Sequence, residues 1–219
     1  MGIVITLMAV LLLSAIGASL SLISATEVTI AGHFDRAHEA RHAAAGAVEL
    51  VTLELGDLPD WNPVLEGVLR SAGAVGSPGG VRTVAGRPVN LDQLRSLLEC
   101  DQLVPCSDAA TAAVTAERPW GADNPRWNLF RYGPWASFTG SPSSIYIAVL
   151  VADDSAEQDG NPLQDSHKGA PGGGRIRVRA EAFGPQGAHV AAEALLERND
   201  ENSAELRVLA SHFVAGGAP

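Results

Sequence analysis

The architecture of this chain follows from residues 3–55, which read IVITLMAVLLLSAIGASLSLISATEVTIAGHFDRAHEARHAAAGAVELVTLEL. No charged side chain occurs before Glu27, and no proline occurs from there to Leu58. The segment Ile3 to Ile23 holds 21 residues, mostly large apolar ones and alanine. At about 1.5 Å per residue, roughly 20 apolar residues cross the hydrocarbon core of a bilayer. The stretch therefore predicts a membrane-spanning helix that continues into a more polar half.

A cleaved signal peptide is the alternative interpretation of the same apolar run. Signal peptides carry basic residues before the apolar region and a small-residue cleavage site after it. Here the first Lys or Arg is Arg36, and the apolar run is longer than a signal peptide requires. Cleavage after Ala25 stays open, but the pattern favours a retained anchor. Its orientation does not follow from charge, since no positive residue precedes it.

The second half of the predicted helix is amphipathic. Apolar side chains at helical spacing indicate that this half packs on a folded domain. The stripe consists of Ile30, Phe34, Ala37, Arg41, Ala44, Val48, Val51 and Leu55, all apolar except the arginine. Gly56 and Pro59 are typical of a helix end. The chain thus divides into a transmembrane half-helix (residues 1–25), the amphipathic half of the same helix (26–56) and a globular domain (57–219).

Composition limits the partners and the chemistry. A net charge of −10 and a pI near 4.9 argue against binding to nucleic acid or to anionic lipid surfaces. The two cysteines, Cys100 and Cys106, are only six positions apart. In a protein outside the cytoplasm the expected state of such a pair is a local disulfide, with two unreactive thiols as the alternative.

The globular domain is predicted to begin with short helices and to end in a sheet. Asn62-Pro63 and Asn90 are helix-start signals, separated by a glycine-rich loop. Strands are expected at residues 144–151, 175–183, 189–197 and 205–214. The third is ambiguous, because its alanines favour a helix. The predicted fold class is α+β, a long N-terminal helix packed on an antiparallel sheet of about four strands.

The segment His38-Glu39-Ala40-Arg41-His42 matches the zinc-binding pattern H-E-x-x-H. On a helix the two histidines share a face and can bind zinc, with the glutamate as general base. The longer metzincin pattern fails, because Ala45 and Val48 stand where glycine and histidine are required. Glu66 or Glu117 is conceivable as a third ligand. We expect a solvated helix face here, with a membrane zinc metalloprotease using His38 and His42 as an alternative.

An acidic loop follows the first predicted strand. Five acidic side chains and one asparagine occur within 13 residues, namely Asp153, Asp154, Glu157, Asp159, Asn161 and Asp165. Calcium prefers such oxygen ligands, although the spacing is not that of an EF-hand. The loop is therefore a candidate calcium site, with a solvated hairpin loop as the alternative. No other cofactor is indicated.

Six of the eleven aromatic residues lie within 19 positions, at Trp120, Trp127, Phe130, Tyr132, Trp135 and Phe138. We expect them to pack on the sheet, with a carbohydrate-binding surface or a partner hot spot as alternatives. The sequence contains no glycine-rich phosphate loop, G-x-S-x-G motif or Cys/His nucleophile pair. An enzyme is therefore not expected.

Several short segments of the chain are similar to segments of a known family. In the helix they are ATEVTIA at residues 25–31, EA at 39–40 and AAAGAVE at 43–49. In the globular part they are VADD at 151–154, DGNP at 159–162 and RAEAFG at 179–184. These segments resemble PilX-like pilus assembly proteins, which are minor pilins of type IV pilus systems. The resemblance implies a pilin-like fold and a non-catalytic role in pilus assembly.

The resemblance also implies a location and partners. The protein would be a single-pass protein of the bacterial inner membrane with a periplasmic domain, and it could enter the extracellular pilus. Its partners would be other major and minor pilins and the pilus assembly platform. Prepilin peptidase would cleave after Gly2, leaving Ile3 as the methylated mature N-terminus.

Two features depart from the pilin pattern. A pilin leader carries basic residues before the cleavage glycine, whereas only Met1 precedes Gly2. Major pilins have glutamate at the fifth mature position, where this chain has Leu7. Its absence suits a minor or tip subunit, or the K-type pseudopilin of type II secretion. A single-pass anchored protein with a periplasmic binding domain is the other class that the sequence leaves open.

Overall fold

The computed structural model describes residues 2–113, 123–157, 159–165, 173–198 and 206–214. The first helix, α1 (Gly2–Gly56), is continuous over 55 residues and ends at the glycine predicted to end it. Among the described helices it alone is long and apolar enough to span a membrane. This finding is consistent with a single-span membrane protein.

Four of the five hydroxyl groups in the apolar half of α1 are satisfied within the helix itself. Thr6, Ser14, Ser19 and Ser21 each donate to the backbone carbonyl four residues earlier, at 2.8–3.1 Å. Such internal bonds remove the penalty for placing a polar group in hydrocarbon, where no water is available. The apolar half of α1 is thus chemically suited to a lipid or protein surround along its whole length.

A five-stranded antiparallel sheet forms the body of the domain, in the order β3-β4-β5-β6-β7. The strands are β3 (Asn128–Pro134), β4 (Tyr146–Asp153), β5 (Arg175–Phe183), β6 (His189–Arg198) and β7 (Leu206–Val214). The four predicted strands and the α+β class are confirmed. The fifth strand, β3, lies in the aromatic segment that we expected to be irregular.

Smaller elements complete the fold. They are α2 (Asn62–Leu65), the hairpin β1 (Val81–Val84) and β2 (Arg87–Asn90), α3 (Leu91–Cys100), α4 (Asp108–Ala113), α5 (Ala136–Thr139) and a 3-10 turn (Pro185–Gly187). Asn90 caps α3 as predicted, because its side chain accepts hydrogen bonds from the amides of Asp92 and Gln93. The helix predicted from Asn62 is shorter than expected, and its N-cap is Trp61.

One face of the sheet packs against the C-terminal third of α1 through small side chains. We call this contact the alanine seam. Ala40, Ala43, Ala44 and Ala47 of α1 share a buried cluster with Ala180 and Ala182 of β5 and with Ala192 and Ala194 of β6. Gly46 continues the seam, since a Cβ atom there would lie 3.1 Å from the ring of Trp135. Small residues on both sides let the helix backbone approach the sheet closely.

The predicted apolar stripe is only partly correct. Ala44, Val48, Val51 and Leu55 are buried, but Ile30, Phe34, Ala37 and Arg41 are exposed. None of residues 2–39, all of which the structure describes, is buried. The cause is geometric, because α1 extends beyond the edge of the sheet before residue 40. The more polar half of the helix therefore begins well before residue 40, where the domain begins to cover α1.

The opposite face of the sheet is covered by the hairpin and by α3. Leu91 and Leu94 are fully buried there and pack in one cluster with Trp127 of the loop before β3 and Leu150 of β4. The hairpin was missed in a segment that we expected to be a loop. Its two-residue turn, Ala85-Gly86, has positive φ at both positions, as a type I′ turn requires.

Charged side chains continue this second face on β5 and β6, where they form an ion-pair ladder. Its members are Arg175, Arg177, Arg179, Glu181, His189, Glu193 and Glu197. Glu181 is fully buried, with Arg179 Nε 2.6 Å from Oε1 and His189 Nε2 2.6 Å from Oε2. The outer pair, Arg175 and Glu197, is partly exposed. The alternation of β5 thus separates an apolar face from a paired, largely buried polar face.

Candidate functional site

Three carboxylates of the acidic loop converge at one end of the sheet. Asp153 is the last residue of β4, Glu157 ends the turn that follows, and Asp165 lies farther along the loop. One oxygen from each lies within 4.8 Å of the other two. We call these three residues the carboxylate cluster. The arrangement has the donor type and spacing that could hold a metal ion.

The backbone around the cluster is held by specific hydrogen bonds. The amide of Asp165 donates to Asn62 Oδ1 at 2.9 Å, and Asp165 Oδ1 accepts from the Gly174 amide at 2.6 Å. The Glu157 amide donates to the carbonyl of Asp154 at 2.9 Å, which closes a turn. These contacts bring together residues that are far apart in sequence. They fix the loop between the start of α2 and the start of β5.

The carboxyl group of Asp153 is strongly perturbed by its surroundings. Asp153 is 4% exposed, and its Oδ1 is buried without a hydrogen-bond partner among the described residues. Burial, reinforced by the charges of Glu157 and Asp165, raises the pKa of Asp153 to about 8. Burial also raises the pKa of Asp165, although Arg198 beside it acts in the opposite direction. At neutral pH the folded protein therefore keeps a proton on this cluster.

The other two acidic side chains of the loop, Asp154 and Asp159, lie outside the cluster. Asp154 Oδ1 accepts from the amide of Ala156 at 3.3 Å, and Asp159 Oδ1 accepts from the amide of Asn161 at 2.7 Å. Asp159 is exposed. Both side chains stabilise local turns of the loop, which is a common use of aspartate.

Sequence reasoning missed the residues that support the cluster. Asn62 was interpreted as a helix cap, but its side chain accepts from Asp165 instead. Arg198 donates to the carbonyls of Leu58 and Pro59 at 3.1 and 2.6 Å and stacks on Trp61. The only available signal was the unusual number of acids near one strand end. The segment after α1 and the acidic loop are thus parts of one local structure.

The raised pKa values predict that stability falls as pH rises. The folded protein holds a proton on Asp153 up to about pH 8, whereas the unfolded chain loses it near pH 3.8. In chelating buffer we therefore expect the free energy of unfolding to decrease between about pH 5 and 8, by up to about 1.4 kcal/mol per pH unit from this group. Urea unfolding of the detergent-solubilised chain at several pH values measures the slope.

Matched variants test whether Asp153 causes the decrease in unfolding free energy with rising pH. Asp153→Asn should flatten the slope to the smaller part that Asp165 and Glu99 contribute, since burial raises the pKa of both. Asp159→Asn, in the same loop but exposed, should change the slope much less, because Asp159 contributes less to the raised pKa of Asp153 than burial, Glu157 or Asp165 does. An unaltered slope in Asp153→Asn would contradict the assignment.

The H-E-x-x-H segment lies on the exposed part of α1. His38 and His42 are both exposed, with ring centroids 6.2 Å apart, and Glu39 Oε1 accepts from Ser143 Oγ at 2.9 Å. Within the described ranges the two histidines belong to no group of three metal-ligating side chains. Glu66 accepts from Gln164 Nε2, and Glu117 lies outside the described residues.

The remaining predicted positions are placed as follows. Cys100 and Cys106 form a disulfide at the end of α3, with an S–S distance of 1.99 Å. Gly2 and Ile3 are the first described residues of α1, and Ile3 is exposed. Trp127, Phe130 and Tyr132 are buried, and Trp135 and Phe138 pack against the core.

For the aromatic segment, these positions agree with packing on the sheet, while Trp120 lies outside the described residues. Comparisons with known protein families, curated proteins and solved structures found no match to this chain.

Proposed function

We propose that this chain is a non-catalytic minor pilin that takes part in assembling a type IV pilus, or the related pseudopilin of a type II secretion system. The observation that carries the proposal is the division of α1. One continuous helix of 55 residues presents an apolar, uncovered N-terminal part and packs its last third on an antiparallel sheet. This arrangement is the one implied by the resemblance to PilX-like proteins.

The uncovered part of α1 would serve two environments in turn. In the bilayer, lipid would surround its exposed isoleucine and leucine side chains. In a filament, neighbouring helices would cover the same side chains. Leu7, in place of the glutamate of major pilins, agrees with a minor, priming or tip position. The domain would remain on the periplasmic side and contact neighbouring subunits.

The proposal is tested by the native N-terminus and by piliation. In the native host we expect the mature protein to begin with N-methylated Ile3, measured by mass spectrometry of the purified protein. Deleting the gene should remove most surface pili, counted by electron microscopy, and wild-type protein should restore them. Gly2→Glu should block processing and fail to restore pili.

Gly17→Ala is the matched control for the glycine substitution. It changes a glycine in the same apolar half, where a Cβ atom meets no neighbour within 4 Å, and should restore pili fully. A native protein that starts at Met1 would argue against the proposal. Unchanged piliation after deletion would do the same and would favour an anchored periplasmic binding protein.

A further inference from the structure

We propose that Asp153, Glu157 and Asp165 form a calcium-binding site that joins the acidic loop to the segment following α1. The starting observation is geometric, because one oxygen of each residue lies within 4.8 Å of the other two. The proposal does not depend on the role in pilus assembly.

A second observation points to a ligand independently of the clustering. Asp153 is only 4% exposed and therefore 96% buried. Its Oδ1 has no hydrogen-bond partner in the described part of the chain. Burying a carboxylate oxygen without a hydrogen-bond partner is unfavourable, because the oxygen loses its interactions with water. A bound cation would supply the missing interaction.

The donor set selects the class of cation. All three side chains offer carboxylate oxygens, which hard cations such as calcium and magnesium prefer over zinc or copper. Calcium–oxygen distances are about 2.3–2.6 Å, so oxygens around one calcium ion are at most about 4.6–5.2 Å apart. The three oxygens of the cluster lie within such a range, since all are within 4.8 Å of one another. Magnesium demands near-ideal octahedral geometry at about 2.0–2.1 Å and usually keeps several waters, so a set of three protein carboxylates favours calcium.

Charge favours occupancy of the site. Asp159 and Asp60 add negative potential near the cluster, and Arg198 is the positive group that acts on Asp165. The cluster also contacts the beginning of α2 through Asn62. Calcium binding would therefore neutralise the loop and tie it to the segment that follows the long helix.

Calcium binding to the full chain in detergent micelles tests the proposal. After removal of metal with a chelator, titration with CaCl₂ in a calorimeter should show one ion per chain, with a Kd on the order of 10⁻⁴–10⁻³ M. Calcium at about ten times its Kd should raise the Tm by about 3–6 °C. Magnesium should bind at least about tenfold more weakly, because it demands octahedral geometry and gives up its waters reluctantly.

Three isosteric variants make the test specific. Asp153→Asn and Asp165→Asn should each weaken calcium binding at least about tenfold, since each removes a ligand charge. In Asp165→Asn, the side-chain carbonyl oxygen can still accept a hydrogen bond from the Gly174 amide. The loop should therefore keep its fold, which circular dichroism checks. Asp159→Asn is the matched control and should lower the affinity much less, since it removes a nearby charge but no ligand. No calcium uptake by the wild type, equal binding of magnesium, or wild-type affinity in Asp153→Asn would overturn the proposal.

Discussion

Replacing Glu181 with alanine is expected to lower the free energy of unfolding by about 3–5 kcal/mol. Glu181 is fully buried and holds Arg179 and His189, each at 2.6 Å. Without it, the guanidinium of Arg179 stays buried and, among the described residues, keeps only the longer contact to Glu193, at 3.4 Å. An uncompensated buried charge is the reason for the large effect. Urea unfolding of the solubilised chain, followed by tryptophan fluorescence, measures it.

The same ladder offers a matched control. Glu197→Ala also removes a glutamate that pairs with an arginine across β5 and β6, but both partners are partly exposed. It should cost at most about 1 kcal/mol. Removing both buried charges, by Arg179→Met together with Glu181→Leu, should recover most of the stability lost in Glu181→Ala. Equal losses in the Glu181 and Glu197 variants would contradict the role of burial.

Trp61→Ala is expected to lower the free energy of unfolding by about 3–5 kcal/mol as well, through a different mechanism. Trp61 is 1% exposed and belongs to the cluster that contains the alanine seam. Its indole Nε1 donates to the carbonyl of Leu55 at 3.0 Å, in the last turn of α1, and Arg198 lies 4.1 Å above its ring. The substitution therefore leaves a cavity and weakens the end of the long helix. Chemical unfolding measured by circular dichroism gives the change.

Two further variants separate packing from hydrogen bonding. Trp61→Phe keeps most of the ring but loses the bond to Leu55, and should cost about 1–2 kcal/mol. Trp135→Ala removes a half-buried tryptophan from the same cluster and should cost less than Trp61→Ala. A loss in Trp61→Phe as large as that in Trp61→Ala would show that the hydrogen bond, not the packing, dominates.

Periodicity predicted most of the fold because most elements follow simple patterns. β5 alternates cleanly, and β6 is a strand despite its alanines, since Ala192, Ala194 and Leu196 enter the core at every second position. Burial in the sheet outweighs the helix propensity of alanine there. β3 was missed because Gly133 and Pro134 are typical of irregular chain. The hairpin was missed because Ala85 is an uncommon residue at positive φ.

The candidate site was predictable only as a list of acids. Sequence spacing indicated an oxygen-rich loop, but not which members would meet. Asp165 reaches the cluster because Asn62 holds its backbone amide and the Gly174 amide holds its carboxylate, and the first of these contacts spans 103 positions. Such long-range closure leaves no periodic signal in the sequence. For the same reason, the alternation of β5 predicted which way its arginines face, but not that the glutamates of β6 would pair with them.

The alanine seam also has a mechanical consequence. The seam and its continuation run along α1 from Ala40 to Leu55, about 24 Å of helix. A pulling force along the helix axis acts parallel to the contacts between α1 and the sheet. All of these contacts then resist separation at the same time. A force across the axis would instead separate them turn by turn. The connection between the domain and the N-terminal half of α1 is therefore strongest in the direction in which the helix itself points.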